Sequence, residues 1–214
     1  IAVGLTIGGM RGGFTTAVRP ITMSNANQYV DHAIDAGIVL NTPFSIFRTI
    51  GKKPFAECDY MTAEEAKKLY SPLHEPADST VFKPMNVVVL IVESFGKQAM
   101  VRGYMPFVSS LAEKGLSFEY SYASGRKSID GMPSVLSSIP SFVEPFFLTP
   151  ASMNTLSGLA GELTHHKGYT SAFFHGAENG SMGFEAFAKA TGFQKYYGRT
   201  EYNADPNYGA DNDF

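Results

Sequence analysis

The most constraining feature of this sequence is a run of six consecutive apolar residues, Val87–Val92, in which every residue but Leu90 is β-branched. Such a run is typical of a strand buried in a parallel sheet, because helices cover both faces of such a sheet. Further along the chain, helical patterns alternate with strand patterns. This alternation predicts an α/β fold whose parallel or mixed sheet is covered by helices on both faces.

Six segments after Val92 follow this alternation, and glycines close three of the helices. Glycine is favoured there because it adopts the left-handed conformation without a Cβ penalty. The predicted helices are Met105–Lys114 before Gly115, Pro133–Ser138, Asn154–His166 before Lys167 and Gly168, and Phe184–Thr191 before Gly192; the predicted strands are Leu116–Ala123 and Tyr169–His175.

Residues 1–80 differ from this pattern and are predicted to form a separate helical and linker segment. Helices are expected at Ser24–Val39, at about Pro43–Ile50 and at Thr62–Leu69. The last of these begins with a capping box, since Glu65 follows Thr62 at the spacing of three residues. Pro72–Lys83 has the composition of a linker. We therefore predict two regions, residues 1–80 and 81–214.

The composition excludes several classes of protein. The chain has 17 Lys and Arg against 20 Asp and Glu, a net charge of −3, which argues against a nucleic-acid-binding surface. Its 44% hydrophobic residues exclude an intrinsically disordered chain. Cys58 is the sole cysteine, so no internal disulfide can form.

The first residues, Ile1–Gly9, are apolar and rich in glycine. They fit the end of a membrane helix, the remnant of a signal peptide or a buried strand. The sequence has no run of eighteen apolar residues, so none of it is expected to span a membrane by itself. The turn-rich C-terminus ends without a helix or strand, and we expect the chain to be part of a longer protein.

Two residues follow predicted strands at their carboxyl ends. In open α/β sheets, ligands bind beyond those ends, so Glu93 after Val92 is placed to bind a metal ion. The structural alternative for Glu93 is that it caps the following turn. His175 ends the strand predicted at Tyr169–His175 and is expected at the same edge of the sheet as Glu93.

The segment from Ser124 to Ser134 joins a predicted strand to a predicted helix. Such a junction is a natural anion site, because it offers backbone N–H groups and the positive end of the helix dipole. Arg126 and Lys127 add positive charge, and Ser128 could act as a nucleophile if a base or a metal activates it. The alternative is that Ser128 or Asp130 merely caps the helix.

The combination of Glu93 with the segment Gly-Arg-Lys-Ser-Ile-Asp at 125–130 resembles the alkaline phosphatase/sulfatase superfamily. More narrowly, it is similar to the lipoteichoic acid synthase and phosphoglycerol transferase branch. The resemblance implies that Ser128 is the nucleophile and that Glu93 and Ser128 bind a divalent metal (Mn²⁺, Zn²⁺, Mg²⁺ or Ca²⁺). It also implies that His175 binds substrate, and we expect Arg126 and Lys127 to neutralise the phosphoryl oxygens.

The same resemblance implies an alkaline phosphatase-like mixed sheet sandwiched by helices and preceded by a small helical segment. It implies an enzyme of the cell membrane, with its catalytic domain outside the cytoplasm, that acts on phospholipid headgroups or on phosphate or sulfate esters. In the family, an Asp-His pair on a much later strand completes the metal site. No such segment precedes Phe214. The sheet is therefore expected to be truncated, and this chain alone to be inactive.

Two departures from the family pattern leave the substrate open. The Trp and Arg of the family's glycerol-phosphate pocket are missing from Ala177–Phe184, so phosphoethanolamine transfer, another phosphodiester or sulfate-ester hydrolysis stay possible. The Ser-Ile-Asp-Gly segment that starts at Ser128 does not fit the C/S-x-P-x-R motif of sulfatases proper, which favours phosphoryl chemistry. Two rival hypotheses are a non-catalytic binding domain and an unrelated doubly wound hydrolase that pairs Ser128 with His175.

Overall fold

The structure, a computed structural model, is of the α/β class, as predicted, with helices and a small parallel sheet. It divides into two compact units, Ile1–Phe55 with Ala123–Phe214, and Ala56–Tyr122. The predicted boundary at residue 80 stays a prediction. The residues that the structure describes are 1–11, 26, 29–30, 35–51, 59–73, 81–141, 144–177, 179 and 181–202.

The N-terminal part of the first unit contains helices α1 (Ala2–Arg11), α2 (Ala36–Val39) and α3 (Thr42–Thr49). The side chain of Asn41 caps α3 by accepting a hydrogen bond of 2.9 Å from the Phe44 N–H. Helix α3 confirms the helix predicted near this position. Most of the helix predicted at 24–39 lies outside the described residues, and α2 covers its last four positions.

Helix α1 shows that the buried-strand alternative for the first residues is wrong. This segment is helical, and the side chains of Val3, Leu5 and Ile7 are exposed. Across the described parts of the chain, the structure has no helix with the length and apolar character needed to cross a membrane.

The rest of the first unit is a parallel β–α–β arrangement preceded by two helices. Strands β1 (Ala172–Phe174) and β2 (Lys195–Tyr197) pair in parallel, with Phe173 opposite Tyr196. A parallel pair needs a crossover connection, which here contains helix α9. Beside the strands, this region contains helices α7 (Ser128–Ser137), α8 (Leu159–Lys167) and α9 (Phe184–Ala190), with short 3-10 turns at Phe146–Leu148, Pro150–Met153 and Ser181–Gly183.

An aromatic cluster forms the core of this region. The ring of Phe147 packs edge-on against Phe187, with 5.2 Å between centroids, and lies 5.7 Å from Phe184. Helix α7 and strand β1 join the same cluster through Met132 and Phe173. Burial of aromatic side chains of this size dominates core energetics, so these contacts hold α7, α9 and β1 together.

Two glycines allow a close approach between α8 and the turn that ends α9. The N–H of Gly161 donates to the carbonyl of Thr191 at 3.0 Å. A Cβ on Gly161 would lie 2.8 Å from that carbonyl oxygen, closer than side-chain carbons come to backbone atoms. Gly192 lies on the other side of this contact in the left-handed conformation, with φ of 87°.

The second unit contains helices α4 (Ala63–Leu69), α5 (Lys97–Val101) and α6 (Pro106–Lys114). The predicted capping box at the start of α4 is confirmed. The Thr62 hydroxyl accepts from the Glu65 N–H at 3.3 Å, and the Glu65 carboxylate accepts from the Thr62 N–H at 2.9 Å. These hydrogen bonds hold the pKa of Glu65 below its usual value.

The strands predicted at Val87–Val92 and Leu116–Ala123 are not formed among the described residues. The side chains of residues 87–92 are 40–79% exposed, and no backbone hydrogen bond joins them to another described segment. A strand exists only through ladder bonds to a neighbour, and a run of apolar residues does not by itself supply one. The sheet edge predicted to bring Glu93 and His175 together is therefore absent from the described structure.

The helices predicted after Val92 are present with shifted ends, whereas α5 (Lys97–Val101) was not predicted. Helix α7 starts five residues before Pro133, because the Lys127 carbonyl accepts from the Asp130 and Gly131 N–H groups. Helix α8 starts at Leu159, five residues after the predicted start. The expected left-handed glycine ends α8 at Gly168, with φ of 69°, whereas Gly115 after α6 is extended.

We predict that Gly161→Ala lowers the free energy of unfolding by about 1–3 kcal/mol, because the added Cβ meets backbone that cannot move away cheaply. Gly131→Ala is the matched control, since Gly131 also lies inside a helix and has open space where the new methyl group would lie. There the better helix propensity of alanine raises stability by up to about 1 kcal/mol. Denaturant unfolding of both variants measures this, and equal stabilities would contradict the close approach.

Candidate active site

The loop before α7 is shaped by local hydrogen bonds. The Ser124 hydroxyl accepts from the Ser141 N–H at 2.9 Å, which ties the loop to the chain beyond α7. Gly125 is left-handed, with φ of 97°, and a Cβ there would overlap the Asp130 side chain. The Asp130 carboxylate accepts from the Arg126 N–H at 3.4 Å. These contacts bring Arg126 and Lys127 to the N-terminal end of α7.

Ser128 is the first residue of α7 and is partly buried. The capping position belongs to Lys127, whose backbone is extended and whose side chain makes no capping hydrogen bond. Ser128 is therefore not the capping residue, whereas the Asp130 carboxylate, in the first turn of α7, does accept from a backbone N–H that precedes the helix. The positive end of the α7 dipole, next to two cationic residues, favours a negatively charged group near the Ser128 hydroxyl.

His175 follows β1 directly and is held by contacts with β2 and α9. Its N–H donates to the Tyr197 carbonyl at 2.9 Å, which extends the pairing of β1 with β2 by one residue. Its Nδ1 lies 3.0 Å from the Tyr196 hydroxyl. The Phe184 ring lies 4.8 Å away, centroid to centroid. The imidazole is thus partly buried and tied to both neighbouring elements.

Ser128 and His175 border the same aromatic cluster. Ile129, next to Ser128, packs against the cluster that contains Phe184, and Phe184 contacts the His175 ring. The structure therefore places these two predicted residues on elements that share one core.

A polar cluster lies after both strands. The Asn179 amide donates to the two carboxylate oxygens of Glu201 at 3.1 and 3.0 Å, and its carbonyl accepts from the Thr200 N–H. The Gly198 N–H also donates to Glu201, at 2.8 Å. Loss of solvent around the carboxylate raises the pKa of Glu201, but the hydrogen bonds from Asn179 and Gly198 outweigh it and hold the pKa below its usual value.

Glu93 belongs to the second unit, whereas Ser128 and His175 belong to the first. It lies in a turn, where the Ser94 hydroxyl donates to its carboxylate at 3.2 Å. Ser94 has a positive φ of 53°, and α5 begins after Gly96. The roles predicted for Glu93, Arg126, Lys127, Ser128 and His175 stay predictions.

The donor atoms of the two predicted metal ligands suit a hard divalent cation, because a carboxylate and a hydroxyl offer oxygen ligands. Among the residues that the structure describes, no group of three or more His, Cys, Asp or Glu side chains could hold a metal ion. The metal-binding roles of Glu93 and Ser128 stay predictions.

Sequence reasoning missed Tyr196, Asn179 and Glu201. The strand that carries Tyr196 has one signal, the aromatic pair Tyr196-Tyr197, since aromatic residues favour strands. No local pattern predicts that Tyr196 lies opposite Phe173 or that Asn179 contacts Glu201, because these contacts join segments 22 or 23 residues apart.

We predict that Glu201 stabilises the fold less as the pH falls. Its pKa is lower in the folded protein than in the unfolded chain. Its contribution to the free energy of unfolding is therefore complete above the ordinary glutamate pKa of about 4.3, and it is lost as the pH falls through the pKa of the folded protein. Denaturant unfolding at a series of pH values from 6 downward should show that the wild type is more stable than Glu201→Gln at pH 6 and that this difference in free energy of unfolding decreases as the pH falls. In an Asn179→Ala background, this pH dependence should shrink. A constant difference between wild type and Glu201→Gln would contradict the prediction.

The comparisons with known proteins agree with the resemblance at the level of the superfamily. No solved structure matches the chain significantly. Residues 85–214 match the Sulfatase family, a segment that includes Glu93, Ser128 and His175 and covers more than half of the chain. The chain therefore belongs to the Sulfatase family.

Proposed function

We propose that this protein is a phosphotransferase or hydrolase that cleaves a phosphodiester with Ser128 as the nucleophile. The observation that carries the proposal is the position of Ser128, at the first residue of α7 directly after Arg126 and Lys127, in a chain of the Sulfatase family. Membership of that family suggests an enzyme, and the residues around Ser128 suggest which group it attacks.

The surroundings of Ser128 favour a phosphoryl group. A phosphodiester carries one negative charge, and the positive end of α7 with two neighbouring cations attracts it. The guanidinium of Arg126 and the ammonium of Lys127 are donors suited to the non-bridging oxygens, whose charge grows in the transition state. The segment at Ser128 also lacks the motif that sulfatases proper convert into their formylglycine nucleophile, which favours phosphorus over sulfur.

The reaction proceeds in two displacements. In the first, the Ser128 Oγ bonds to phosphorus, the bond from phosphorus to the departing alcohol breaks, and the serine proton ends on the released alcohol. In the second, water or an acceptor hydroxyl attacks the phosphoserine, which restores the Ser128 hydroxyl. A covalent intermediate divides one difficult step into two easier ones.

A divalent cation belongs to this proposal, and Glu93 and Ser128 would be among the residues that hold it. Such an ion supplies positive charge that lowers the pKa of a bound hydroxyl. His175 is proposed to bind the substrate from the end of β1, on an element that shares a core with α7.

We infer from the resemblance that the substrate is a phospholipid headgroup and that the enzyme works at the cell membrane with its catalytic domain outside the cytoplasm. The missing Trp and Arg after His175 leave glycerol phosphate and phosphoethanolamine headgroups both open. A panel of phosphodiesters of the two kinds, with a sulfate ester beside them, separates these substrates.

We predict that Ser128→Ala in the full-length protein lowers kcat on its phosphodiester substrate by about 10³-fold or more, because the attacking oxygen is removed. Ser134→Ala is the matched control, since Ser134 lies in the same helix and is not proposed to react. We expect the control to keep kcat within about twofold of wild type, the range of a substitution away from the reacting groups.

Near-normal turnover by Ser128→Ala would overturn the nucleophile assignment. Faster turnover of the sulfate ester than of any phosphodiester would overturn the substrate class. Activity that is lost on chelation and regained with Mn²⁺ supports the metal ligands, whereas activity indifferent to a chelator would favour the hydrolase that pairs Ser128 with His175.

A further inference from the structure

The orientation of the His175 imidazole is fixed by a residue that sequence reasoning did not single out. The Tyr196 hydroxyl lies 3.0 Å from His175 Nδ1, a normal hydrogen-bond distance. Rotation of the imidazole about its bond to Cβ would break this contact. The hydrogen bond therefore selects one orientation of the ring.

The register of the sheet explains why Tyr196 reaches His175. Tyr196 lies opposite Phe173, and paired residues of neighbouring strands share a face. His175 follows Phe173 by two residues and so lies on that same face, while Phe174 and its partner Tyr197 lie on the other. The 2.9 Å hydrogen bond from the His175 N–H to the Tyr197 carbonyl keeps this register at His175.

Packing also restrains Tyr196 itself. Its ring stacks on Phe173 with 5.5 Å between centroids and 11° between planes. Phe173 is buried in the aromatic core, so the hydroxyl is carried by a ring that cannot move freely. The His175 ring is restrained in addition by Phe184, whose centroid lies 4.8 Å away.

We propose that Tyr196 is a positioning residue, whose hydroxyl holds the His175 imidazole in the orientation that binds the phosphate group of the substrate. A hydroxyl can donate to Nδ1 when the imidazole is neutral and accept from Nδ1–H when it is charged. The orientation is therefore kept in both protonation states. This inference rests on the proposed function, because that function gives His175 its role in substrate binding.

The test compares Tyr196→Phe with the matched control Tyr197→Phe. Each substitution removes one hydroxyl and keeps a stacked ring, since Tyr197 stacks on Phe174 at 4.9 Å as Tyr196 does on Phe173. The two variants differ in that the Tyr196 hydroxyl contacts His175 Nδ1, whereas the Tyr197 side chain lies on the opposite face of the sheet. Thermal unfolding followed by circular dichroism shows whether both are folded.

The readout is the imidazole ¹⁵N signals of His175 in histidine-labelled protein, assigned by their loss in His175→Ala, because the chain has five histidines. We expect Tyr196→Phe to shift the Nδ1 signal and Tyr197→Phe to leave it unchanged. Titration with glycerol phosphate should then give a Kd about two- to tenfold weaker in Tyr196→Phe than in the control, the usual effect of one neutral hydrogen bond.

Three other results would each overturn one of the roles assigned to His175 and Tyr196 or the hydrogen bond between them. If neither glycerol phosphate nor, in a parallel titration, phosphoethanolamine changes the wild-type His175 signals, the substrate role of His175 fails, and the positioning role fails with it. If the wild type responds but Tyr196→Phe binds as tightly as the control, the positioning role alone is overturned. An unshifted Nδ1 signal in Tyr196→Phe would overturn the hydrogen bond itself.

Discussion

The packing of Phe147 against α9 is the interaction on which the later part of the first unit, from α7 to β2, depends. Phe147 contacts Phe184 and Phe187, and the cluster around it takes in side chains of α7 and β1. Aromatic burial of this kind is the main favourable term in such a core. The same contacts bring the element that begins with Ser128 and the strand that ends before His175 into one packed body, so the positions of Ser128 and His175 depend on this core.

Hydrophobic packing sets which elements meet, but it has no direction, and the site needs directed groups. Hydrogen bonds supply that direction after each strand. The Tyr196 hydroxyl restrains the His175 ring, and the Asn179 amide with the Glu201 carboxylate ties the loop after His175 to the turn after β2. A site that must hold a small anion in one orientation gains from such preorganisation, because fewer groups have to be ordered when the anion binds.

The sequence predicts best those features that depend on residues within one helical turn, such as the caps of helices. The capping box at Thr62 was predicted correctly, because it depends on residues within one turn. A glycine was expected to close the helices at both Gly115 and Gly168, and of these two only Gly168 is left-handed. The prediction of a strand at Val87–Val92 was wrong. A strand needs a second strand as its hydrogen-bond partner, and a run of apolar residues does not show whether such a partner is present. The start of α7 was misplaced, because Pro133 was interpreted as a first-turn proline although it lies inside the helix.

The contact between His175 and Tyr196 was beyond prediction, because it depends on the register between β1 and β2. Glu93, Ser128 and His175 themselves were singled out from their positions after predicted strands or before a helix and from the family resemblance. The match to the Sulfatase family confirms the resemblance at the level of the superfamily and does not test the role of any single residue. The roles of the individual residues depend on chemistry that has to be measured.

The most direct measurement is mass spectrometry of the full-length protein quenched during turnover of a phosphodiester substrate. The account predicts that the peptide containing Ser128 gains the mass of the transferred phosphoryl group, with its remaining ester substituent, and that fragmentation places this mass on Ser128. Turnover with no such adduct, or with the adduct on another residue, would contradict the account.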